Sequence, residues 1–214
     1  HIGPPMHPDE VAITRSFLEA GRDAGIDRFV YYSVMHPVRR GVRHHALKLD
    51  ATEMIIESGV PYVLVEPCRY MQHLVPLWPT VRDTGLHSMP FSTSVPFSVV
   101  DLRDVAEVTA RVATEDGHEY AGYELAGPEN LTQEDMARII GEVLGREVRA
   151  EALPLDVMAQ RAEAAGVPEA RIEQMRLMNA HYDHGGFPGN PRVLESLLGR
   201  PATTFREYVE SLPR

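Results

Sequence analysis

Between Arg28 and Leu74 the chain reads RFVYYSVMHPVRRGVRHHALKLDATEMIIESGVPYVLVEPCRYMQHL, a strand, a loop, a helix and a second strand. The first run, Phe29 to Val34, and the second, Tyr62 to Val65, are short, aromatic and β-branched, as buried strands are. The intervening segment from Arg43 to Ser58 places Leu47, Ala51, Met54 and Ile55 at helical spacing and stops at Gly59. A strand that reaches a second strand through a helix predicts a parallel pair, because parallel neighbours need a long crossover. In such sheets ligands sit outside the carboxyl ends of the strands. Ser33 and Pro67 fall at those ends, and His44 and Lys48 stand one helical turn apart on the crossover helix. The layout is that of an active site for a nucleotide cofactor and a small substrate.

The flanking chain extends the pattern. Asp9 to Ala24 reads as a helix with Ala12, Ile13, Phe17, Leu18 and Ala20 as its apolar stripe and Gly25 as its stop. From Tyr70 to Val100 the prolines Pro76, Pro79, Pro90 and Pro96 and the turn Asp83-Thr84-Gly85 predict loop-rich chain with short strands. Trp78 in that stretch reads as a pocket lid or as part of a packed loop. Phe97 to Val100 and Tyr120 to Leu125 are strand candidates. A helix follows Asp101, whose neighbours Arg103 and Asp104 suit capping and an ion pair. Thr132 is a candidate N-cap for a helix that ends at Gly145. Further helices are expected at 156–165, 169–178 and, singly or as a pair, 192–212. The domain reading is 1–69 for the nucleotide-binding part and 70–214 for a substrate region, with about 97–126 returning to the main sheet.

Composition narrows the class. The chain has 214 residues, 43% of them hydrophobic and 24% charged, which suits a soluble globular protein. No apolar run is long enough for a transmembrane helix, and the start HIGPPMHPDE lacks a signal-peptide pattern. One cysteine, Cys68, allows no internal disulfide and fits a reducing cytosol, so the expected localisation is cytoplasmic. A net charge of -10 argues against nucleic-acid backbone binding. The ten histidines include no HExxH and no cysteine set, so no metal site is expected.

With these segments in place, YYSVMHP, LKLDATEMIIESGVPYVLVEP, DLRDVAEVTARV, YELAGPENLTQEDMARIIGEVLGR and LLGRPATTFREYVESL resemble the NmrA-like branch of the atypical short-chain dehydrogenase/reductases. The resemblance covers nearly the whole chain and implies an α/β fold, a Rossmann-type parallel sheet with a smaller carboxyl-terminal substrate subdomain. It also implies an NAD or NADP cofactor. Members open with a strand, a glycine-rich turn and a helix, whereas no GxxGxxG or GxGxxG stands in these residues. Gly3-Pro4-Pro5 resembles the family's loop after the fourth strand, so the expectation is that roughly 70 residues of βα units are missing. On that reading the 214 residues alone hold a dinucleotide poorly, and the bared sheet edge favours pairing with another chain.

The resemblance also assigns roles. Extended relatives use Tyr-x-x-x-Lys with a Ser or Thr on the preceding strand. Here the spacing is His44-x-x-x-Lys48, with Ser33 upstream. Lys48 would orient the cofactor ribose, His44 would move the proton and Ser33 would assist. An i, i+4 His and Lys on an exposed helix face needs no function, and His45, about 100° round, is expected to face solvent. Gly3, Pro4, Pro5 and Pro67 are further cofactor contacts. Tyr70, Gln72 and His73 are candidate substrate contacts, or core. The implied activity is hydride transfer to a small carbonyl or quinone-type acceptor. The alternatives are a non-catalytic NAD(P)-sensing regulator with a protein partner or as a homo-oligomer, and a sugar-nucleotide epimerase or dehydratase.

Overall fold

The computed structural model describes residues 1–213. Its centre is a parallel sheet of β1 (Phe29–Tyr32), β2 (Tyr62–Pro67) and β6 (Ala121–Leu125), in the order β1-β2-β6. Helix α2 (Arg43–Glu57) makes the β1-to-β2 crossover, as the strand–helix–strand pattern predicts. With α1 (Glu10–Asp23) it covers one face, where Leu18, Phe29, Tyr31, Ala51, Ile55 and Leu64 pack together. On the other face Val63 and Val65 meet Val105, Val108 and Val112 of α4 (Leu102–Thr114) and Leu194 and Leu198 of α8 (Arg192–Leu198). A sheet buried on both faces explains why its strands read as unbroken apolar runs.

The later chain builds two smaller sheets. β3 (Arg69–Tyr70) pairs in parallel with β5 (Phe97–Val100), which pairs antiparallel with β7 (Glu129–Leu131). β4 (Leu86–Met89) pairs in parallel with β8 (Arg149–Ala152). A separate apolar core joins them to α5 (Gln133–Leu144) and α9 (Phe205–Glu210). The remaining helices are α6 (Leu155–Ala164) and α7 (Glu169–Tyr182), and α7 packs back against α2.

Three expectations change. The proline-rich stretch is mostly helical: a 3-10 helix spans Met71–Leu77 and α3 spans Trp78–Thr84. Pro79 lies in the first turn of α3, where its missing N–H costs nothing. Trp78 is no lid; it is buried, and its indole N–H donates to the Pro213 carbonyl at 2.7 Å. On α1 the buried residues are Glu10, Thr14 and Leu18. Phe17 is 57% exposed, its ring stacked 4.5 Å from that of His1. The helix docks through Leu18 and through the polar Glu10 and Thr14, so only part of the expected apolar stripe faces inward. Other signals hold. Asp101 caps α4, and Thr132 with Asp135 forms a capping box on α5, which ends at left-handed Gly145 (φ 66°). No helix among the described residues is long and apolar enough to cross a membrane.

Candidate active site

At the carboxyl end of β1 the chain gathers buried polar groups. Lys48 lies on the inner face of α2 and donates from Nζ to Glu10 Oε1 at 2.7 Å and to the Tyr32 carbonyl at 2.8 Å. Tyr31 donates its hydroxyl to the same carboxylate oxygen at 2.7 Å, and the Lys48 ammonium lies 4.8 Å from the Tyr31 ring centroid. The ion pair is dry, with side-chain exposures of 7% for Lys48 and 2% for Glu10. Burial lowers the Lys48 pKa, and the Glu10 carboxylate works against that. Burial and the acceptor Glu10 raise the Tyr31 hydroxyl far above the usual phenol range, so it stays protonated.

Not all of this polarity is used. An ammonium has three N–H donors, and two of those on Lys48 have partners. Glu10 Oε2 and Ser33 Oγ are buried without a hydrogen-bond partner among the described residues. Ser33 follows directly on the Tyr32 carbonyl that Lys48 grips, and its own N–H donates to Val65 on β2 at 2.8 Å. Buried polar atoms are nearly always paired in folded proteins, so Glu10 Oε2 and Ser33 Oγ stand out, near a lysine with one donor to spare. Gly3 closes the site from the chain start: a Cβ there would lie 2.9 Å from Glu10 Oε1. Pro4 and Pro5 beside it are exposed, and Pro67 is buried, its carbonyl accepting from Met35 N–H at 3.0 Å.

His44 is half-buried one turn before Lys48. Burial, then the Lys48 and His45 charges, push its pKa down to about 4, so the ring is neutral at physiological pH. His45 does not face solvent as expected. It is fully buried, with Nδ1 3.0 Å from the His36 carbonyl and Nε2 2.8 Å from the Tyr182 hydroxyl, and it ties α2 to α7. The helical offset between the two rings is as expected, but a second helix occupies the side taken for solvent.

The substrate candidates part ways. Gln72 is spent on the fold: its amide donates to Asp101 Oδ1 at 2.9 Å and accepts from Leu102 N–H at 2.9 Å, bracing the start of α4. Tyr70 and His73, with ring centroids 5.8 Å apart, line a small cavity in the later region. Nothing in the local pattern points to Glu10, which sits 38 residues before Lys48. An acidic residue in a helix's first turn ordinarily reads as a dipole partner. Glu66 is a further ionisable group near the end of β2. It stands in register with Glu124 on the adjacent strand, and burial together with that neighbour raises its pKa to about 7.

A two-faced parallel sheet with a lysine-bearing crossover helix and open polar valences at its carboxyl edge defines a Rossmann-type ligand-binding protein. The NmrA-like family model matches residues 5–210, and the chain belongs to that family. It is 28% identical over 212 residues to an NAD(P)H azoreductase of Xenophilus azovorans, covering 97% of this chain and 72% of that protein. It is 30% identical over 208 residues to a (4-alkanoyl-5-oxo-2,5-dihydrofuran-3-yl)methyl phosphate reductase of Streptomyces griseus, covering 95% and 71% respectively. Among solved structures, an NADPH complex of an Escherichia coli NADPH-dependent quinone oxidoreductase superposes with a TM-score of 0.85. At 23% identity it covers 97% of this chain and 73% of that one, and the likeness is one of fold.

Proposed function

We propose that the chain is the substrate-facing part of an NAD(P)H-dependent reductase that passes hydride to a small carbonyl or quinone-type acceptor. The observation that carries this reading is the set of open valences on Lys48, Ser33 and Glu10 at the carboxyl end of β1. Reductase names on both relatives above point the same way. Residues 1–69 supply the cofactor side, and 70–214 supply most of the acceptor side. The reading also places the protein in the cytoplasm, consistent with a single buried, unpaired Cys68.

The residues fit the nicotinamide and ribose half of a dinucleotide. The third N–H of Lys48 is free for a ribose hydroxyl, and Glu10 Oε2 is free to accept from one. Gly3 lies close against that carboxylate, with Pro4 and Pro5 exposed beside it, and Pro67 ends β2 next to the site as a further cofactor contact. When bound, the reduced nicotinamide supplies hydride. Ser33 Oγ, with no other partner, donates a hydrogen bond to the acceptor oxygen as negative charge develops there. His44, held neutral, carries one ring N–H for the same oxygen. The α2 backbone keeps His44 and Lys48 on one face, so both address one site.

The test is NADPH oxidation with a panel of quinones and small carbonyl compounds. Turnover with at least one acceptor is expected, reduced about tenfold or more by His44→Ala and by Ser33→Ala. Unchanged rates in both variants would remove the two residues from the mechanism. A histidine where extended relatives carry tyrosine favours one competing reading, a dinucleotide-sensing regulator. Cofactor binding with no turnover of any acceptor is its signature.

A further inference from the structure

Away from the Lys48 site, Arg69 is electrostatically anomalous. It sits on β3 with its guanidinium 5.2 Å from the Phe91 ring centroid, and among the described residues its side chain's one hydrogen-bond partner is Met89 Sδ at 3.8 Å. Among the described residues no carboxylate lies within 4 Å of it, in a chain with 31 acidic residues and a net charge of -10. Burial lowers its pKa to about 10, which leaves it charged at neutral pH. A guanidinium in apolar surroundings without a counter-charge is costly to keep.

A second, independent oddity shares the place. His87 on β4 is 3% exposed, and both its ring nitrogens are buried without a hydrogen-bond partner among the described residues. Arg69, His73 and His87 line one cavity of about 20 Å³, with Leu74, Met89 and Phe91 among its apolar walls. That volume admits one small polar group, not a ring. The positive charge of Arg69 bears on His87, which is pushed down to about 4 by burial first and Arg69 second. The cavity therefore holds a fixed cation, unmet ring nitrogens and no anion of its own.

We propose that this cavity is a carboxylate subsite: the Arg69 fork holds only the head of a carboxylic acid whose body stays outside, and a ring N–H of His87 donates to the same head. The chemistry favours carboxylate over phosphate. A guanidinium matches two carboxylate oxygens in one plane, whereas a doubly charged phosphate would meet one fixed cation in a space this small. The body of such an acid lies outside the cavity, on the side of exposed His73. The subsite goes beyond the reductase reading and does not depend on it.

Calorimetric titration with benzoate and with benzamide, in the absence of any dinucleotide, tests it. Benzoate is expected to bind at least about tenfold more tightly than its neutral isostere, and Arg69→Met to abolish that preference. Because Arg69 lacks a counter-charge, Arg69→Met is also expected to melt at the same temperature as the parent or higher. Equal affinity for the two compounds, or no benzoate binding at millimolar concentration, overturns the proposal without recourse to any variant. A preference that survives Arg69→Met overturns it too, because the anion would then sit elsewhere.

Discussion

Lys48 holds α2 to α1 through Glu10 and to β1 through the Tyr32 carbonyl, in surroundings almost without water. Breaking such a pair from one side strands the other charge. Lys48→Met and Glu10→Gln are each expected to lower stability by about 3–5 kcal/mol in urea unfolding, and the double variant to regain much of the loss. No change in either single variant would show the pair to be solvated. Loss of activity in a lysine variant is therefore ambiguous unless folding is measured beside it. The candidate site was legible only as far as local spacing reaches. His44 and Lys48 declare themselves by a four-residue step, and Ser33 by its place at a strand end. Glu10 and the His45–Tyr182 contact, 137 residues apart in sequence, are set by how helices pack, which no local period encodes.

At the scale of elements, the turn after β6 fastens the main sheet to the second one. Gly127 donates its N–H to Ser98 Oγ at 3.1 Å, and a Cβ there would lie 1.6 Å from the Val99 carbonyl oxygen. No side chain can be placed without parting β5 from that turn. Gly127→Ala is expected to cost about 3 kcal/mol or more in denaturant unfolding, and a cost under about 0.5 kcal/mol would contradict the close approach. The central strands and their crossover helix were readable because burial on both faces leaves continuous apolar runs. The 3-10 helix and α3 were not, because Pro76 and Pro79 read as breakers although Pro79 occupies a helix's first turn. The inner face of α1 misled in part for the opposite reason, since beside Leu18 it docks with a carboxylate and a hydroxyl where the period sought hydrocarbon.

Across the whole molecule, burial holds His44, His45 and His87 neutral with pKa values pushed down to about 4. The unfolded chain takes up those protons near pH 6.5. Between about 6.5 and 4 the unfolded state binds more protons, so stability is lost as pH falls through that window. Glu66, raised to about 7, works the other way over part of the range, one group against three. The melting temperature is expected to drop steeply from pH 7 to pH 4, and a flat or rising profile would mean that the histidines are hydrated in the fold. The same scale sets the most direct test of the cofactor site. NADPH binding would be measured by calorimetry on the chain and on the chain extended by a family glycine-rich strand–turn–helix, each with and without Lys48→Met, at a temperature where all remain folded. The account predicts tighter binding by the extended form, weakened about tenfold or more by Lys48→Met. An extended form that ignores NADPH, or binds it equally well without Lys48, would contradict a cofactor site at the carboxyl end of β1.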